Sequence, residues 1–449
     1  MKLPKIQVSQ KPVYKKFAED VDLFDLFAKI DQHFGTCFLF ESLGEEGKFA
    51  RYSIVGFEPE HIVRARNNEF FFDGKKYEVK NPYDALKAIM PPQTIARNYA
   101  GGLIGYMSYE AVNYFEPTLK LPIHKDFDQF CFGVYTDGLV LDKLTNELFY
   151  FYHTKDRSKL LEKIAKTKLK KTSLNVKFLG DSMDKKQHKE VVEHVKEQIR
   201  AGNTFQCEVG YKSKFKIKGD ALQIYKKLRD VNPSPFMYYV KFGEKKIIGA
   251  SPELLLSVRN GEMVTRPLAG TIRRGKTPKE DMQLARTLLS DPKEIAEHNM
   301  LVDLHRNDMG KVAQFGTVKV RDLMTVKKFS HVQHIASEVV GIIRPEEDMF
   351  SALASNFPMG TVTGTPKVET MKIIAQNEKE PRGPYSGTVG QFGFNGDCTF
   401  ALALRSLFIS GEDAYAQTSG GIVYDSTPEK EFDEIQRKLA AMKEVLGVR

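Results

Sequence analysis

Through the first 150 residues apolar and polar positions alternate over short stretches. RYSIVGFEP, EHIVRAR, NEFFFDGKKYEV and FGVYTDGLVLDKLTNELFYFYH are β-branched and aromatic runs cut by Gly and Asp, a pattern that predicts strands joined by tight turns. Helical spacing interrupts them over 20–32 and 84–90. A longer helix is predicted over 184–201, where Val191, Val192, Val195 and Ile199 form an apolar stripe. Strands over 213–218, 237–242, 246–248 and 254–258 follow, mixed with helices. Two later helices carry clear start signals, Asp291 with Pro292 and Thr427 with Pro428. The second has the stripe Phe432, Ile435, Leu439, Met442 and Leu446. Together these elements predict an α+β fold of large, mostly antiparallel β-sheets with helices packed outside. Three segments are expected: 1–150, a lysine-rich connector over 151–183, and 184–449. No internal repeat is visible.

Composition narrows the class. The chain of 449 residues is 41% hydrophobic and 28% charged, so it can bury a large core without staples. Its apolar runs are too short to span a bilayer. The net charge is +9, but 14 Lys and Arg face 7 Asp and Glu between residues 151 and 200, which places +7 there. No aromatics interleave with Lys163 to Lys171, so the stretch reads as a solvated amphipathic helix and connector, not a nucleic-acid platform. Cys37, Cys131, Cys207 and Cys398 form no CxxC pair, which fits a reducing cytoplasm. There are 31 Phe and 18 Tyr but no Trp.

Candidate chemistry lies in three places. Glu294 and Glu297 share a face of the helix that opens at Asp291, where Glu294 also suits the reciprocal half of a capping box. Glu431 and Glu434 share a face of the helix that opens at Thr427, with Lys438 one turn later. Each pair alone reads as a solvated face. If the faces met, four carboxylates could not all stay ionised without a cation, and Mg²⁺ would suit them. Glycine-rich turns are expected at Pro267–Thr271, Met359–Lys367, Arg382–Gly387 and Thr418–Ile422. None is a P-loop or a dinucleotide fingerprint. His331 and His334 lie three apart without a third ligand at metal spacing, so one is better read as an acid–base group.

The segments ASPELLL, TRPLAGT, AEHNMLVDLHRND, FSHVQHIASEV, MGTVTGTPK, RGPYSG, ALALRS and GGIVYDS, in that order, resemble the chorismate-utilising enzymes, and most closely their anthranilate synthase component I branch. The likeness implies a 1–150 N-terminal domain with a tryptophan-regulatory site and a chorismate-binding catalytic domain over 184–449. It implies that Glu253 is the general acid at a departing hydroxyl and that His334 is the active-site histidine, leaving His331 structural. Glu294, Glu297, Glu431 and Glu434 would hold Mg²⁺. Tyr385 and Arg405 would bind the enolpyruvyl carboxylate. Gly270, Thr271 and Thr361, with Ser419, Gly420 and Gly421, would cradle the ring and its carboxylate beside Lys438. The chain departs from the family at Ser419-Gly-Gly-Ile, where Gly-Ala-Gly-Ile is more usual.

Two positions separate subfamilies. Water-adding relatives carry a lysine where this chain has Gln206, and many aminodeoxychorismate synthases carry a nucleophilic lysine where it has Ala269. Ammonia is then expected to attack directly, giving anthranilate and pyruvate, with aminodeoxychorismate synthase component I as the alternative. A sensor that binds chorismate or tryptophan without turnover is the reading from another class. Leu39-Phe-Glu-Ser42, ten residues and Ser53 resemble the tryptophan-inhibition motif LLES-x10-S, and Asn232-Pro-Ser-Pro-Phe-Met-Tyr238 resembles its second wall. Glu41, Ser42, Ser53, Pro235 and Met237 are the candidates. The resemblance further implies a separate glutamine amidotransferase subunit (component II) in a hetero-oligomer, a heterotetramer.

Overall fold

The computed structural model describes residues 3–17, 21–43, 51–96, 99–329 and 332–448. His331 lies outside them. Two twelve-stranded sheets dominate, each a path of eleven strands with one more paired beside it, Gly364–Thr365 on Gln206–Gly219 in the first and Lys319–Lys328 on Val332–Ile342 in the second, and every strand pair in them is antiparallel. The first sheet runs, edge to edge, through Val13–Lys16, Glu147–Tyr152, Asp137–Asp142, Tyr52–Phe57, Thr36–Glu41, Phe236–Phe242, Lys245–Ser251, Ser406–Ser410, Asp413–Ile422, Gln206–Gly219 and Leu174–Asp181. The second runs through Leu268–Arg273, Val332–Ile342, Glu262–Thr265, Leu254–Arg259, Cys398–Leu402, Thr388–Gly393, Gly102–Met107, Phe130–Tyr135, His61–Arg66, Glu69–Phe72 and Lys75–Glu78.

Period-2 alternation sorts side chains into layers. Within Thr36–Glu41, Phe38 joins a core shared by both sheets, with Tyr238 and Phe408 of the first and Tyr106 and Tyr135 of the second. Cys37 and Leu39 point the other way, into a core roofed by the helices Leu23–His33, Leu222–Val231 and Pro428–Leu446. The second sheet buries its outer face under Pro82–Ile89, Pro292–Gly310 and Met349–Asn356. The α+β expectation therefore matches, with helices outside and sheets within. Among the described residues no helix is long and apolar enough to cross a membrane.

The three segments share these sheets. Thr36–Glu41 pairs with Phe236–Phe242, and Gly102–Met107 pairs with Thr388–Gly393. Both sheets thus cross the line drawn after residue 150. The lysine-rich segment supplies the helix Ser158–Ala165, whose Leu161, Ile164 and Ala165 are buried, and the edge strand Leu174–Asp181. The helix Lys185–Arg200 starts at a capping box between Asp184 and Gln187.

Candidate active site

Two neighbouring chain crossings set opposite charges side by side. The chain leaves the first sheet after Ser251 and enters the second at Leu254, with Glu253 between them. It returns between Leu402 and Ser406, with Arg405 in the return. Leu402 N–H donates to Glu253 O (3.1 Å) and Ala250 N–H to Arg405 O (3.3 Å), tying the crossings together. Arg405 has φ 47°, a left-handed conformation that side chains larger than glycine adopt where the surroundings hold them in place.

Glu253 is 4% exposed, and burial pushes its carboxyl up to about 8. Leu268 N–H donates to its Oε1 at 3.2 Å. That bond, Thr361 and Arg405 oppose the rise, while Glu208 adds to it. At neutral pH Glu253 is therefore a proton donor. Burial lowers the pKa of Arg405 and Glu253 works against that. Among the described residues no hydrogen bond or ion pair ties the Arg405 guanidinium. Thr361 stands in the single helical turn Gly360–Val362.

His334 lies on Val332–Ile342, opposite Thr271 in the ladder. Its Nδ1 is 2.8 Å from Gly270 O and 3.1 Å from Thr271 Oγ1. A carbonyl only accepts, so Nδ1 carries the proton and Nε2 keeps its lone pair. Nε2 is buried without a hydrogen-bond partner. Burial and the charges of Arg405 and Lys438 push the ring down to about 4, so it is a neutral base at physiological pH. The expected turn at Pro267–Thr271 is a bulged strand, with the register shifting between Ala269 and Thr271. Gly270 there has φ +62°, and a Cβ on it would stand 2.8 Å from Glu294 Oε2. The bulge and the missing side chain let the carboxylate close in.

The expected turn at Thr418–Ile422 is also strand, the end of Asp413–Ile422. Its residues Ser419, Gly420 and Gly421 face Gly210, Val209 and Glu208 across the ladder. Ser419 Oγ donates to Glu208 Oε2 at 2.6 Å and pairs with the Tyr385 hydroxyl at 2.9 Å. Lys438 Nζ donates to Ser419 O at 2.9 Å and pairs with Glu434 at 2.8 Å. Tyr385 itself sits in a true turn between Gly383 and Ser386, both at positive φ. Side chains from other elements press on the wall: a Cβ on Gly420 would stand 3.2 Å from Glu431 Oε2, and one on Gly421 2.6 Å from Gln206 Nε2.

The two Glu-x-x-Glu faces come together over this wall. Asp291 caps its helix, accepting from Lys293 N–H (2.9 Å) and Glu294 N–H (3.4 Å). The Glu294 side chain faces Gly270 instead of completing a capping box. Burial raises Glu294, with Asp291 and Glu434 adding to it against Lys293. Burial, Glu208 and Glu294 push Glu297 up to about 7, and Gln206 Nε2 donates to its Oε1 at 3.0 Å. Burial and Glu434 raise Glu431. Glu434 alone is lowered, Lys438 overcoming the burial that would raise it. Among the described residues no three His, Cys, Asp or Glu side chains stand close enough together to hold a metal ion between them. The four form an open set of coupled carboxylates, which suits a hard cation that keeps several waters and takes oxygen from an anionic ligand.

Sequence reasoning overlooked Glu208, the buried carboxylate at the centre of the cleft. It acts electrostatically on Glu253, Glu297 and Tyr385 and is itself acted on by Lys438 and Glu434. Its signal was an acidic residue inside the apolar strand FQCEVGY, two places from Gln206 and hence on the same face.

The tryptophan-site candidates gather elsewhere in the first sheet. Met237 pairs with Glu41 across the ladder, and Leu43 N–H donates to Ser234 O at 2.9 Å, beside Pro235. Ser53 adjoins Ile54, the ladder partner of Phe40. Glu41, Ser42, Ser53 and Met237 are buried. Glu41 accepts from the Tyr225 hydroxyl (2.9 Å) and pairs with Arg229 (3.0 Å), both on Leu222–Val231. The Ser42 hydroxyl is buried without a partner.

A family model described as chorismate binding enzyme matches residues 35–444. An anthranilate synthase component 1 of Leptospira biflexa is 49% identical, over 99% of this chain and 98% of its own. That of Methanothermobacter thermautotrophicus is 39% identical, over 96% of this chain and 94% of its own. The crystal structure of anthranilate synthase component I from Streptococcus pneumoniae is 32% identical with a TM-score of 0.80, covering 89% of this chain and 94% of that one. The menaquinone-specific isochorismate synthase of Escherichia coli, 18% identical with a TM-score of 0.77 over 99% of this chain and 95% of that one, shares the fold. With matches of this extent and order along the chain, and two sheets folded around one acidic cleft, the chain belongs to the chorismate binding enzyme family, in its anthranilate synthase component I branch.

Proposed function

We propose that the cleft converts chorismate and ammonia to anthranilate and pyruvate with Mg²⁺, the entry step of tryptophan synthesis. The observation that carries the reading is Glu253, a carboxylic acid held protonated at neutral pH beside the untied guanidinium of Arg405. Glu253 gives its proton to the departing ring hydroxyl, so that water leaves. Arg405 grips the enolpyruvyl carboxylate in bidentate fashion and Tyr385 flanks it. Gly270, Thr271, Thr361 and the strand Ser419–Gly421 line the ring, and Lys438 supports its carboxylate side. His334 Nε2 takes the proton released as the aminated intermediate loses its enolpyruvyl group and becomes aromatic. Glu294, Glu297, Glu431 and Glu434 would hold Mg²⁺, which supplies positive charge to the ring carboxylate when bound.

Direct attack by ammonia is supported at two positions. Gln206 is a poor base, and its amide is committed to Glu297. Ala269 offers no nucleophile, which disfavours the aminodeoxychorismate alternative. A separate glutamine amidotransferase subunit supplies the ammonia in a heterotetramer. In support, all four cysteines are buried thiols, and burial raises each pKa, the opposite of what a glutamine-hydrolysing thiolate needs. Those free thiols also fit the cytoplasm. Tryptophan inhibits by binding at Glu41, Ser42, Ser53, Pro235 and Met237.

One assay tests the whole reading. Chorismate, Mg²⁺ and ammonium should yield fluorescent anthranilate and equal pyruvate, suppressed by tryptophan. Accumulating 4-amino-4-deoxychorismate would favour the alternative. Binding without turnover would favour a sensor.

A further inference from the structure

Tyr238, Gly249 and Ser406 lie on one line across three neighbouring strands of the first sheet. Tyr238 pairs with Gly249, and Gly249 with Ser406. Successive side chains leave a strand on opposite faces. Met237 therefore points under the helices, while Tyr238 points into the core between the two sheets. The middle strand is bare at this line. A Cβ on Gly249 would stand 2.3 Å from Tyr238 Cε2 and 2.2 Å from Ser406 Oγ. The tyrosine ring thus lies across the glycine, and its hydroxyl meets the serine of the strand beyond.

That meeting ties the chain on both sides of Arg405. Ser406 Oγ donates to Leu404 O at 2.7 Å, which leaves it as the acceptor for the Tyr238 hydroxyl at 2.6 Å. The bonds run from Tyr238 through the residue after Arg405 to the residue before it. Both hydroxyl-bearing side chains are buried, so bulk water cannot take the place of either. Arg405 needs such a hold. Its φ of 47° is a left-handed conformation that persists in a residue with a Cβ only where its surroundings enforce it. The other bond at this point is longer, Ala250 N–H to Arg405 O at 3.3 Å. Among the described residues no hydrogen bond or ion pair ties the guanidinium, so its direction follows from the backbone that carries it.

We propose that Tyr238 is a positioning residue for Arg405: its hydroxyl, through Ser406, holds the backbone over 404–406 in the conformation that presents the guanidinium to the enolpyruvyl carboxylate. The inference rests on Arg405 gripping that carboxylate, as proposed above. Tyr238 acts through the backbone alone, and no proton passes along its bonds to the substrate. What it supplies is order, because a bidentate grip needs the planar guanidinium at one angle. The grip forms in the ground state and persists in the transition state. Loosening it should therefore raise KM for chorismate and leave kcat nearly unchanged.

Tyr238→Phe and Ser406→Ala each delete one oxygen from this chain of bonds. Steady-state anthranilate formation reads the result, with chorismate varied at saturating ammonium and Mg²⁺ and then ammonium varied at saturating chorismate. Loss of one hydrogen bond should raise KM for chorismate about three- to tenfold, with kcat and the ammonium KM within about twofold of wild type. The double variant should match the larger single effect, because the two hydroxyls act in series. If Tyr238→Phe does not fold, as a melting curve would report, Ser406→Ala carries the test. An unchanged chorismate KM in a folded variant overturns the proposal. So do chorismate and ammonium KM values that rise together, the mark of a site loosened throughout, and single effects that multiply in the double variant. Arg405→Gln separates this inference from the reading beneath it: an unchanged chorismate KM there would refute the grip itself, and the inference with it.

Discussion

Glu253→Gln should make the protein more stable as it makes it inactive. Burial carries this carboxyl from its ordinary 4.5 to about 8. At 1.36 kcal/mol per pH unit the rise corresponds to about 5 kcal/mol, and water entry on relaxation brings the expected value to about 2–5 kcal/mol. Between those two values the unfolded chain releases a proton that the folded chain keeps. Stability from this group is therefore full below pH 4.5, falls as pH rises, and levels off above about 8. A glutamine keeps the shape and has nothing to ionise. Urea unfolding of both proteins at pH 5 and pH 8.5 should show the variant gaining on the wild type by about that amount. Taking the difference cancels the other raised carboxylates, apart from the coupling of Glu208 to Glu253. Turnover should fall about 10²- to 10⁴-fold with the loss of the acid. A stability gap that does not change with pH, or near-normal turnover, would refute the assignment of Glu253 as a buried neutral acid.

Glu297→Gln removes one of four coupled carboxylates and should raise the Mg²⁺ concentration for half-activity about tenfold or more; an unchanged Mg²⁺ titration would remove Glu297 from the metal set. His334→Ala deletes the free Nε2 and should slow anthranilate release about 10²-fold or more with little change in chorismate KM, so a rate within twofold of wild type counts against a proton-transfer role. Because the chain has no Trp, added tryptophan is the sole indole emitter, and its emission should shift on binding. Glu41→Gln should weaken that binding while leaving activity without tryptophan intact, and equal binding by both proteins would move the site elsewhere.

Secondary structure was legible because its causes are local. Alternation in RYSIVGF and EHIVRAR, the apolar stripe from Val191 to Ile199, and start signals at Asp291 and Thr427 became strands and helices close to where they were expected. The sharing of both sheets by residues 1–150 and 184–449 was not legible, since ladders such as Glu41 with Met237 join positions far apart in sequence. Glycines misled for a related reason. Gly270, Gly420 and Gly421 read as turns, yet they are strand positions where a carboxylate or amide from another element occupies the place of a side chain. The approach of the two Glu-x-x-Glu faces depends on those same glycines, so helix periodicity alone could not show it.

The departure at Ser419-Gly-Gly-Ile has a physical counterpart across the ladder. The usual Gly-Ala-Gly-Ile would place hydrogen at 419, leaving Glu208 Oε2 buried without the hydroxyl that now reaches it at 2.6 Å. A buried acceptor left unsatisfied costs about 1–3 kcal/mol, so the Glu208 carboxyl, whose pKa burial raises, calls for a donor at 419. The same pattern would place a methyl at 420, 3.2 Å from Glu431 Oε2, and Glu431 would have to give way. This chain therefore adds a hydroxyl at one position and removes a methyl at the next, both facing carboxylates. Ser419 and Gly420 together shape one wall to accept the buried acid Glu208 without displacing the carboxylate of the neighbouring helix. That compensation ties Glu208 to the cleft's design: the acid is matched by a donor on one of its oxygens.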